Sequence, residues 1–362
     1  MSCYLIMAGG TGGHIFPALA VARRLMNMGH ELVWLGSVNS MESRLVPTYG
    51  ITLELIKIKG VRGNGWRRKL SLPWVLLRAI WAVRHIVKKY HISGVLGFGG
   101  FVSFPGGIAA RLSRVPLVIH EQNAIAGLTN RFLARLAQQT FYAFPNTFSN
   151  TEGLVGNPVR ENLVAMMHQS VEERFSKRSG RLKLFVVGGS LGAQIFNEKI
   201  PEILALVPEE KRPLVRHQCG RGNALKVKER YKNLNIEVEV LEFIEDMGRE
   251  YEQADFVIAR AGALTIAELT VVGLGGYLIP FPWAVDDHQT YNARYLVEGK
   301  AVVCIQQKDW SNKEMAEELS RLTRQQCEIW ARNARQLAII KADQKIADKM
   351  VRLSKTLEYY ER

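Results

Sequence analysis

The sequence lacks several features that would place it in a common class of protein. It has no run of about 18 apolar residues, so no segment is predicted to cross a membrane. Its first apolar strand begins at residue 3, which leaves no room for a signal peptide, and we therefore expect a cytosolic protein. Its cysteines, Cys3, Cys219, Cys304 and Cys327, lack the paired spacing of a zinc or redox site, so we expect reduced, mostly buried thiols.

Acidic side chains are absent between Glu54 and Glu121, and the whole chain carries a formal net charge of +14. The cations of this stretch, with Trp66, Trp74 and Trp81 among them, are Lys57, Lys59, Arg62, Arg67, Arg68, Lys69, Arg78, Arg84, Lys88, Lys89, Arg111 and Arg114. Such a field attracts anions, whether nucleic acid, acidic lipid headgroups or a pyrophosphate-bearing substrate. Charge alone does not choose among these partners.

Two frequent nucleotide-binding motifs and one metal motif are also missing. The glycine-rich turns at 9–13 and 188–192 have neither the G-x-G-x-x-G spacing of dinucleotide enzymes nor the lysine and hydroxyl residue of a P-loop. No D-x-D pair occurs, and Asp286, Asp287 and His288 precede a predicted helix, where adjacent aspartates are more often caps than metal ligands. Nicotinamide binding, nucleotide hydrolysis and a metal centre are therefore disfavoured.

Each of these two glycine turns follows a short apolar run and leads into a helix-like segment. Backbone N–H groups collect at such a helix start, where a phosphate can bind, although a turn of this kind can also simply reverse the chain. Two such turns predict two Rossmann-like halves in an α/β protein. We predict strands at 3–8, 31–35, 95–96, 115–119, 182–187, 213–217, 236–241, 255–259 and 276–280, and helices at 18–28, just after Pro17, and at 108–112.

The domain boundaries follow from this alternation. A joint is predicted at 156–160, where a proline fixes one torsion and a glycine frees another. The first domain then spans 1–157 and the second spans 158–340. A charged helical segment at 341–362 can cross back onto the first domain.

Several side chains near the predicted strand ends suit catalysis or sugar binding. His14 stands at the mouth of the first turn and can act as a general base, and Glu121 is a second candidate that the sequence does not rank against it. Glu268 can accept hydrogen bonds from a ribose, but Thr265 and Glu268 also fit a capping box. Gln289 suits sugar hydroxyls. Helix-start amides and arginine would neutralise a leaving diphosphate without a metal.

A predicted helix inside the basic stretch has large apolar groups on one face. Trp74, Leu77, Trp81 and Arg84 fall at helical spacing, a pattern typical of a helix lying on an anionic bilayer. The alternative is an ordinary helix whose tryptophans pack on the sheet. Nucleic-acid binding, with the tryptophans stacked on bases, is disfavoured because it leaves the glycine turns unexplained.

Motifs along nearly the whole chain resemble the MurG family of UDP-GlcNAc-dependent N-acetylglucosaminyltransferases, in that family's order. They are GGTGGHIFPALAVA at 9–22, GFGGFVSFPGG at 97–107, HEQNAIAGLTN at 120–130, GNPVR at 156–160, GGSLGA at 188–193, FIEDM at 243–247, RAGALTIAEL at 260–269 and DDHQTYNA at 286–293. Phe101, Cys219 and Gly275 depart from common family residues, which puts only peripheral contacts in doubt.

The resemblance implies a GT-B glycosyltransferase fold, with two Rossmann-like domains whose parallel sheets face across a cleft. It implies an inverting transfer of GlcNAc from UDP-GlcNAc to the C4 hydroxyl of MurNAc in undecaprenyl-pyrophosphoryl-MurNAc-pentapeptide (lipid I). The product, lipid II, serves peptidoglycan synthesis and with it cell shape and division. No cofactor or metal is expected, nor nucleic acid, and the site of action is the cytoplasmic side of the inner membrane, peripherally bound. Another GT-B enzyme with a lipid acceptor, or a UDP-GlcNAc epimerase, is the alternative.

Site residues are implied by the same motifs. UDP-GlcNAc would contact Thr11, Gly12, Gly13, Asn123, Arg160, Ser190, Ile244, Ala263, Leu264, Thr265, Ile266, Ala267, Glu268 and Gln289. The uracil would lie near Phe243 and Ile244, the ribose at Glu268 and the sugar ring at Gln289. His14 would accept the proton, with Glu121 as the second candidate, and the first glycine turn would cradle the acceptor pyrophosphate.

Overall fold

The computed structural model describes residues 1–58, 66–189 and 191–360, with backbone alone at 66–71 and 357–360. Ser190, Lys59 and Arg62, and the side chains of Trp66, Arg67, Arg68 and Lys69, lie outside the described part. The chain forms two compact units, Met1–Val159 with Ile340–Arg362 and Arg160–Ile339. These divisions fall two residues and one residue from the predicted ones.

The N-terminal unit contains a parallel sheet of six strands in the order β3-β2-β1-β4-β5-β6. Its strands are β1 (Cys3–Met7), β2 (Glu31–Ser37), β3 (Thr52–Ile56), β4 (Ile92–Gly97), β5 (Leu117–Glu121) and β6 (Gln139–Tyr142). Its helices are α1 (Gly12–Asn27), α2 (Met41–Leu45), α3 (Trp66–Lys89), α4 (Ser103–Leu112) and α5 (Leu128–Leu133). The apolar runs of the inner strands β1, β2, β4 and β5 are buried on both faces, as parallel strands require.

The C-terminal unit repeats this strand order with its own chain segments. Its sheet runs β12-β11-β10-β7-β8-β9, all parallel. The strands are β7 (Lys183–Val187), β8 (Leu214–Gln218), β9 (Val238–Leu241), β10 (Phe256–Ala259), β11 (Gly276–Leu278) and β12 (Val302–Cys304). The helices are α6 (Glu161–Ala165), α7 (Val171–Ser176), α8 (Gln194–Leu206), α9 (Ala224–Asn233), α10 (Met247–Gln253), α11 (Ala263–Val272), α12 (His288–Glu298), α13 (Asn312–Arg321) and α14 (Arg324–Gln336).

The last helix, α15 (Ala342–Tyr360), belongs to the N-terminal unit although it follows the C-terminal one in sequence. The Tyr4 hydroxyl on β1 lies 2.8 Å from the Ser354 hydroxyl, and Arg24 on α1 pairs with Asp343 at 2.9 Å. Met350 fills the space where a Cβ at Gly94 would stand. The chain therefore crosses back to complete the first core.

The order of the strands reverses at equivalent places in the two sheets, between β1 and β4 and between β7 and β10. Ligands of open parallel sheets bind outside the carboxyl ends of the strands at such a switch point. The glycine turns after β1 and β7 lie there. The fold thus places each predicted phosphate site at the binding edge of its own sheet.

Two predicted helix starts are wrong. Helix α1 begins at Gly12 and includes Pro17, six residues before the predicted start at 18. Helix α4 begins at Ser103 rather than at 108, because the glycines of its first turns allow close packing where a side chain would collide. A Cβ at Gly106 would meet Met7, and one at Gly107 would meet Leu133.

No helix of the described residues combines the length and apolar character needed to span a bilayer. The four cysteines are free thiols, with Cys219 and Cys327 buried and Cys3 and Cys304 partly buried. Two of the four thiols are thus buried, where the sequence predicts that most are.

Candidate active site

The first glycine turn presents helix-start amides at the end of β1. Thr11 is the N-cap of α1 with extended backbone, and its side chain makes no capping hydrogen bond. The amides of Gly12 and Gly13 lie in the first helical turn, where no intrahelical carbonyl can accept them. Because Gly10 has φ +94°, only glycine adopts this turn without strain. A helix start of this kind is suited to binding an anion.

His14 is held by the turn that precedes it. Its Nδ1 lies 3.2 Å from the carbonyl oxygen of Gly9, and since a carbonyl only accepts, Nδ1 carries the hydrogen. In the neutral ring the lone pair then belongs to Nε2. The ring edge rests on Gly99, where a Cβ would stand 3.1 Å from Cδ2 and 3.2 Å from Nε2. This tautomer is the one that a general base acting through Nε2 needs.

Glu121 is buried, and its carboxylate is occupied by four hydrogen bonds. Oε1 accepts from the Asn123 amide at 3.0 Å and from Asn123 Nδ2 at 3.2 Å. Oε2 accepts from the Gly127 amide at 3.1 Å and from Asn130 Nδ2 at 2.9 Å. A carboxylate committed in this way organises the loop that leads to α5. The geometry therefore favours His14 over Glu121 as the proton acceptor.

His120 is buried, and hydrogen bonds occupy both of its ring nitrogens. Its Nε2 donates to the Gly156 carbonyl at 2.9 Å, and Gln122 Nε2 donates to its Nδ1 at 3.1 Å. Burial lowers the pKa of His120 to about 4, so the ring is neutral near pH 7. Asn157 Nδ2 donates to the Gln122 carbonyl at 3.1 Å. These bonds tie the end of β5 to the chain just before the second unit begins.

The glycine turn after β7 is locked against the end of β8. Gly192 has φ +72°, and a Cβ there would collide with the Cys219 carbonyl. A Cβ at Gly188 would likewise meet Ala193. Helix α8 then begins at Gln194, and its N-cap residue Ala193 makes no side-chain capping hydrogen bond. Ser190 of this turn, a predicted donor contact, lies outside the described residues.

The segment 263–268 forms the first turns of α11. The helix is capped by Gly262 with no side-chain hydrogen bond, so the alternative of a capping box between Thr265 and Glu268 is wrong. The helix starts at Ala263, which puts Thr265 inside it. Among the predicted contacts here, Ala263 and Ile266 are buried, whereas Leu264, Thr265, Ala267 and Glu268 are partly exposed.

Glu268 is positioned by a tyrosine from a neighbouring helix. The Tyr251 hydroxyl on α10 donates to Glu268 Oε2 at 3.0 Å. Burial raises the pKa of the Glu268 carboxyl above its usual value, while the charge of Arg160 and the bond from Tyr251 act in the opposite direction. Arg160, at the N-cap of α6, is therefore electrostatically coupled to Glu268. A carboxylate fixed beside a helix start is suited to hold a ribose hydroxyl.

Arg260 serves the fold rather than the ligand edge. It is buried and donates to the carbonyls of Ile279 and Pro280 at 3.0 Å each, and to Gln307 Oε1 at 2.8 Å. Burial lowers its pKa to about 10, so it remains a cation. The sequence shows a positive charge just before α11. It does not show the three acceptors of that arginine, because they lie 19 to 47 residues further along the chain.

Gln289 and the preceding acids form the start of α12. Gln289 Oε1 accepts a hydrogen bond from the Phe281 amide at 2.9 Å. The side-chain NH₂ group of Gln289 is then the group that can donate to a ligand. Asp287 is the N-cap residue with φ 52°, but its side chain bonds the Thr290 hydroxyl at 2.7 Å instead of a backbone amide. The expected side-chain cap is therefore wrong for Asp287. Among the described residues no group of three or more His, Cys, Asp or Glu side chains is arranged to hold a metal ion.

The predicted uracil contacts lie in the loop before α10. Phe243 is 51% exposed, with the Arg221 guanidinium 5.6 Å from its ring centre, and Ile244 is partly exposed. Asp246 caps α10 through the Gly248 amide at 3.0 Å. An exposed ring and a fixed loop are suited to a flat base.

Helix α3 exposes the predicted apolar face. Trp74 is 71% exposed, Trp81 61% and Leu77 45%, and the Arg84 guanidinium lies 5.3 Å from the Trp81 ring centre. The inward face is made by other residues, including Val83. The alternative in which the tryptophans pack on the sheet is therefore wrong.

Comparisons with known proteins agree along the chain. The glycosyltransferase family 28 N-terminal domain matches residues 4–142, and the family 28 C-terminal domain matches residues 183–350. A protein of Neisseria meningitidis serogroup C is 54% identical over 336 residues, 93% of this chain and 94% of its own. One of Shewanella woodyi is 46% identical over 355 residues, 97% and 96% of the two chains.

Both relatives carry the name UDP-N-acetylglucosamine--N-acetylmuramyl-(pentapeptide) pyrophosphoryl-undecaprenol N-acetylglucosamine transferase. The crystal structure of Acinetobacter baumannii MurG superimposes with a TM-score of 0.87 at 38% identity, covering 97% of this chain and all of that one. Together with the two parallel sheets, these matches confirm the predicted GT-B fold class.

Proposed function

The chain belongs to the MurG family within glycosyltransferase family 28, and from that membership we infer that it transfers GlcNAc from UDP-GlcNAc to lipid I. The product is lipid II, the disaccharide precursor used in peptidoglycan synthesis. This conclusion depends on one observation: over nearly its full length, the chain is 54% and 46% identical to two transferases of that name. The alternative of an epimerase has no such support.

We propose that the C-terminal unit binds the donor. Helix starts at α8 and α11 supply amides for the diphosphate, Arg160 adds a positive charge, and Glu268 accepts from the ribose. Ile244 and Phe243 would contact the uracil, and the NH₂ group of Gln289 would reach a sugar hydroxyl. Amides and arginine together offset the charge of the departing diphosphate, so this scheme needs no metal ion.

The N-terminal unit would bind the acceptor and supply the base. The MurNAc C4 hydroxyl attacks the anomeric carbon of GlcNAc, and the new C–O bond forms as the bond to the UDP oxygen breaks. UDP leaves with that electron pair, and the hydroxyl proton passes to His14 Nε2. The amides of Gly12 and Gly13 would hold a phosphate of the acceptor or donor. Attack from the face opposite UDP inverts the anomeric centre.

The activity can be tested with purified protein, UDP-GlcNAc and a soluble lipid I analogue in the presence of EDTA. We expect UDP release that depends on the acceptor and is unaffected by the chelator. Conversion of UDP-GlcNAc without acceptor would point to an epimerase. Absence of acceptor-dependent UDP release would remove the assignment, and activity only with a divalent ion would remove the metal-free scheme.

We also propose that α3 docks on an anionic membrane surface at its cytoplasmic side. The exposed Trp74, Leu77 and Trp81 would enter the headgroup region, and the cations of the acid-free stretch would attract acidic lipids. The same charge gives no reason to invoke nucleic acid, which would leave the sugar-binding residues without a role.

Changing Trp74 and Trp81 together to serine is expected to weaken binding to anionic vesicles at least tenfold. Losing roughly 60 Å² of buried apolar surface at about 25 cal/mol per Å² already amounts to about 1.5 kcal/mol. Both rings are largely exposed, so turnover of a soluble acceptor and the melting temperature should change little. Vesicle co-sedimentation measures the binding. Leu225→Ser, at an 86% exposed position of α9, is the matched control.

If the double variant binds vesicles as tightly as the parent protein, α3 is not the membrane face. Unfolding of the variant would show that the rings support the core instead.

A further inference from the structure

Glu42 is a fully buried carboxylate that no step of the proposed reaction uses. It lies on α2, and its Oε1 accepts from the Ser37 amide at 3.0 Å and the Ser37 hydroxyl at 2.9 Å. Oε2 accepts from the Gly10 amide at 3.2 Å. Burial alone raises the pKa of Glu42, but hydrogen bonds from Ser37 and Ser40 outweigh it, and the pKa is lowered overall. The group is therefore a buried anion at neutral pH.

The bond from Glu42 reaches the same peptide group that holds His14. The N–H of Gly10 and the C=O of Gly9 belong to one peptide unit, and that carbonyl accepts from His14 Nδ1 at 3.2 Å. An anion bonded to the N–H of a peptide polarises it and strengthens its carbonyl as an acceptor. A continuous hydrogen-bonded chain thus runs from the carboxylate through the peptide to the imidazole.

The packing around this peptide fixes its orientation. A Cβ at Gly9 would stand 2.7 Å from Glu42 Oε1, and one at Gly36 would stand 2.8 Å from Glu42 Cγ. A Cβ at Gly100, where φ is +81°, would collide with the Gly9 carbonyl. Three glycines therefore make room for the carboxylate and the peptide plane to lie in this one arrangement.

We propose that Glu42 is a positioning residue for the base, which it serves through the peptide between Gly9 and Gly10. It holds His14 in the tautomer protonated at Nδ1 and presents Nε2 to the acceptor hydroxyl. The chain resembles the carboxylate–histidine pair of hydrolases, with a peptide group between the two partners. The proposal rests on the role of His14 in the proposed function.

Other titratable groups flank the ring and stay constant in the test. His120 and Glu121 end β5, and Glu121 bonds Asn130, whose amide borders the same glycine, Gly99. His120 does not titrate near neutral pH, because burial lowers its pKa to about 4. A change seen on replacing Glu42 alone is therefore due to Glu42.

The first measurement is the tautomer of His14, read from the ring ¹⁵N shifts of protein labelled on histidine. The His14 signals are those lost in His14→Ala. We expect Nδ1 to carry the hydrogen in the parent protein. In Glu42→Gln the carboxamide cannot accept both the Ser37 and Gly10 amides, so the ring should move toward the tautomer protonated at Nε2. Glu54→Gln, which removes a carboxylate bonded to Lys89 and Tyr90, should leave the tautomer unchanged.

The second measurement is the pH dependence of turnover. We expect kcat of Glu42→Gln to fall about 10- to 100-fold, as when an orienting partner is removed. The KM for UDP-GlcNAc should stay within about twofold, since most of the predicted donor contacts lie in the other unit. The acid limb of kcat/KM should move to lower pH, because a nearby anion favours the protonated ring. A merely structural role would reduce the folded fraction and leave the tautomer and the acid limb in place.

If Glu42→Gln does not fold, Glu42→Asp serves instead, since it keeps the charge but withdraws it from Gly10. A parent protein protonated at Nε2 of His14 would overturn the proposal, as would a folded Glu42 variant with the parent tautomer and acid limb. The tautomer is read without turnover, so its failure leaves the proposed function standing. Absence of acceptor-dependent turnover in the parent protein would instead remove the proposed function.

Discussion

Replacement of His14 by alanine is expected to lower kcat with a soluble lipid I analogue by about 10²- to 10⁴-fold, the usual contribution of a positioned general base. The ring donates Nδ1–H to the Gly9 carbonyl, so its Nε2 is the atom able to take the acceptor proton. The KM for UDP-GlcNAc should change much less, because the donor contacts lie mainly in the other unit. Steady-state kinetics with varied donor and acceptor measure both effects.

The variant should also lose the acid limb of its pH–rate profile, since that limb reports protonation of the base. His168→Ala is the matched control, because His168 ends a short 3-10 turn of the C-terminal unit and has no role in the scheme. If His14→Ala retained more than a tenth of the parent kcat with the acid limb in place, His14 would not be the proton acceptor.

Replacement of Glu121 by alanine is expected to lower the free energy of unfolding by about 1–3 kcal/mol, the cost of leaving one buried donor unsatisfied. The buried side-chain amide of Asn130 loses one of its two acceptors and keeps the His120 carbonyl, whereas the Gly127 amide is exposed and Asn123 is partly exposed, so water can replace Glu121 there. Urea unfolding followed by circular dichroism measures the loss. Glu54→Ala is the control, because its ion pair with Lys89 is open to solvent and its loss should change the free energy of unfolding little.

The same variant separates the two candidate bases. Any Glu121→Ala protein that remains folded should keep an acid limb, since His14 still provides the base. Normal stability together with a lost acid limb would reverse the assignment, with Glu121 as the base and His14 as a structural residue.

Much of the fold was predictable because the strands of these sheets are short apolar runs bounded by glycine or polar residues. The runs that begin β1 and β7 and end in glycine turns were placed almost correctly. Strands β3 and β6 were not predicted, since these edge strands carry polar residues such as Glu54 and Gln139 that weaken the pattern. Strand β12 was also not predicted, since it is only three residues long. Helix starts were predicted too late because Gly12 and Gly106 look like turn residues until their packing partners are known.

The parts of the site that are formed by residues close together in the sequence could be predicted. The glycine turns and their helix starts follow from local sequence, and His14 follows from its place beside them. What local sequence could not provide are bonds made across long separations. Glu42 reaches Gly10 over 32 residues, and Tyr251 reaches Glu268 over 17 residues. A capping box fits the spacing of Thr265 and Glu268 but does not form, because α11 is capped by Gly262 and Thr265 lies inside the helix.

The central claim is that the unit formed by residues 160–339 binds a uridine diphosphate sugar by helix-start amides, Arg160 and Glu268, without a metal ion. Its most direct test is a crystal structure of the protein soaked with UDP-GlcNAc in the presence of EDTA. We expect the diphosphate at the starts of α8 and α11 and the ribose at Glu268. A donor bound by residues 1–159 alone, or one seen only when a divalent ion bridges its phosphates to the protein, would contradict the claim.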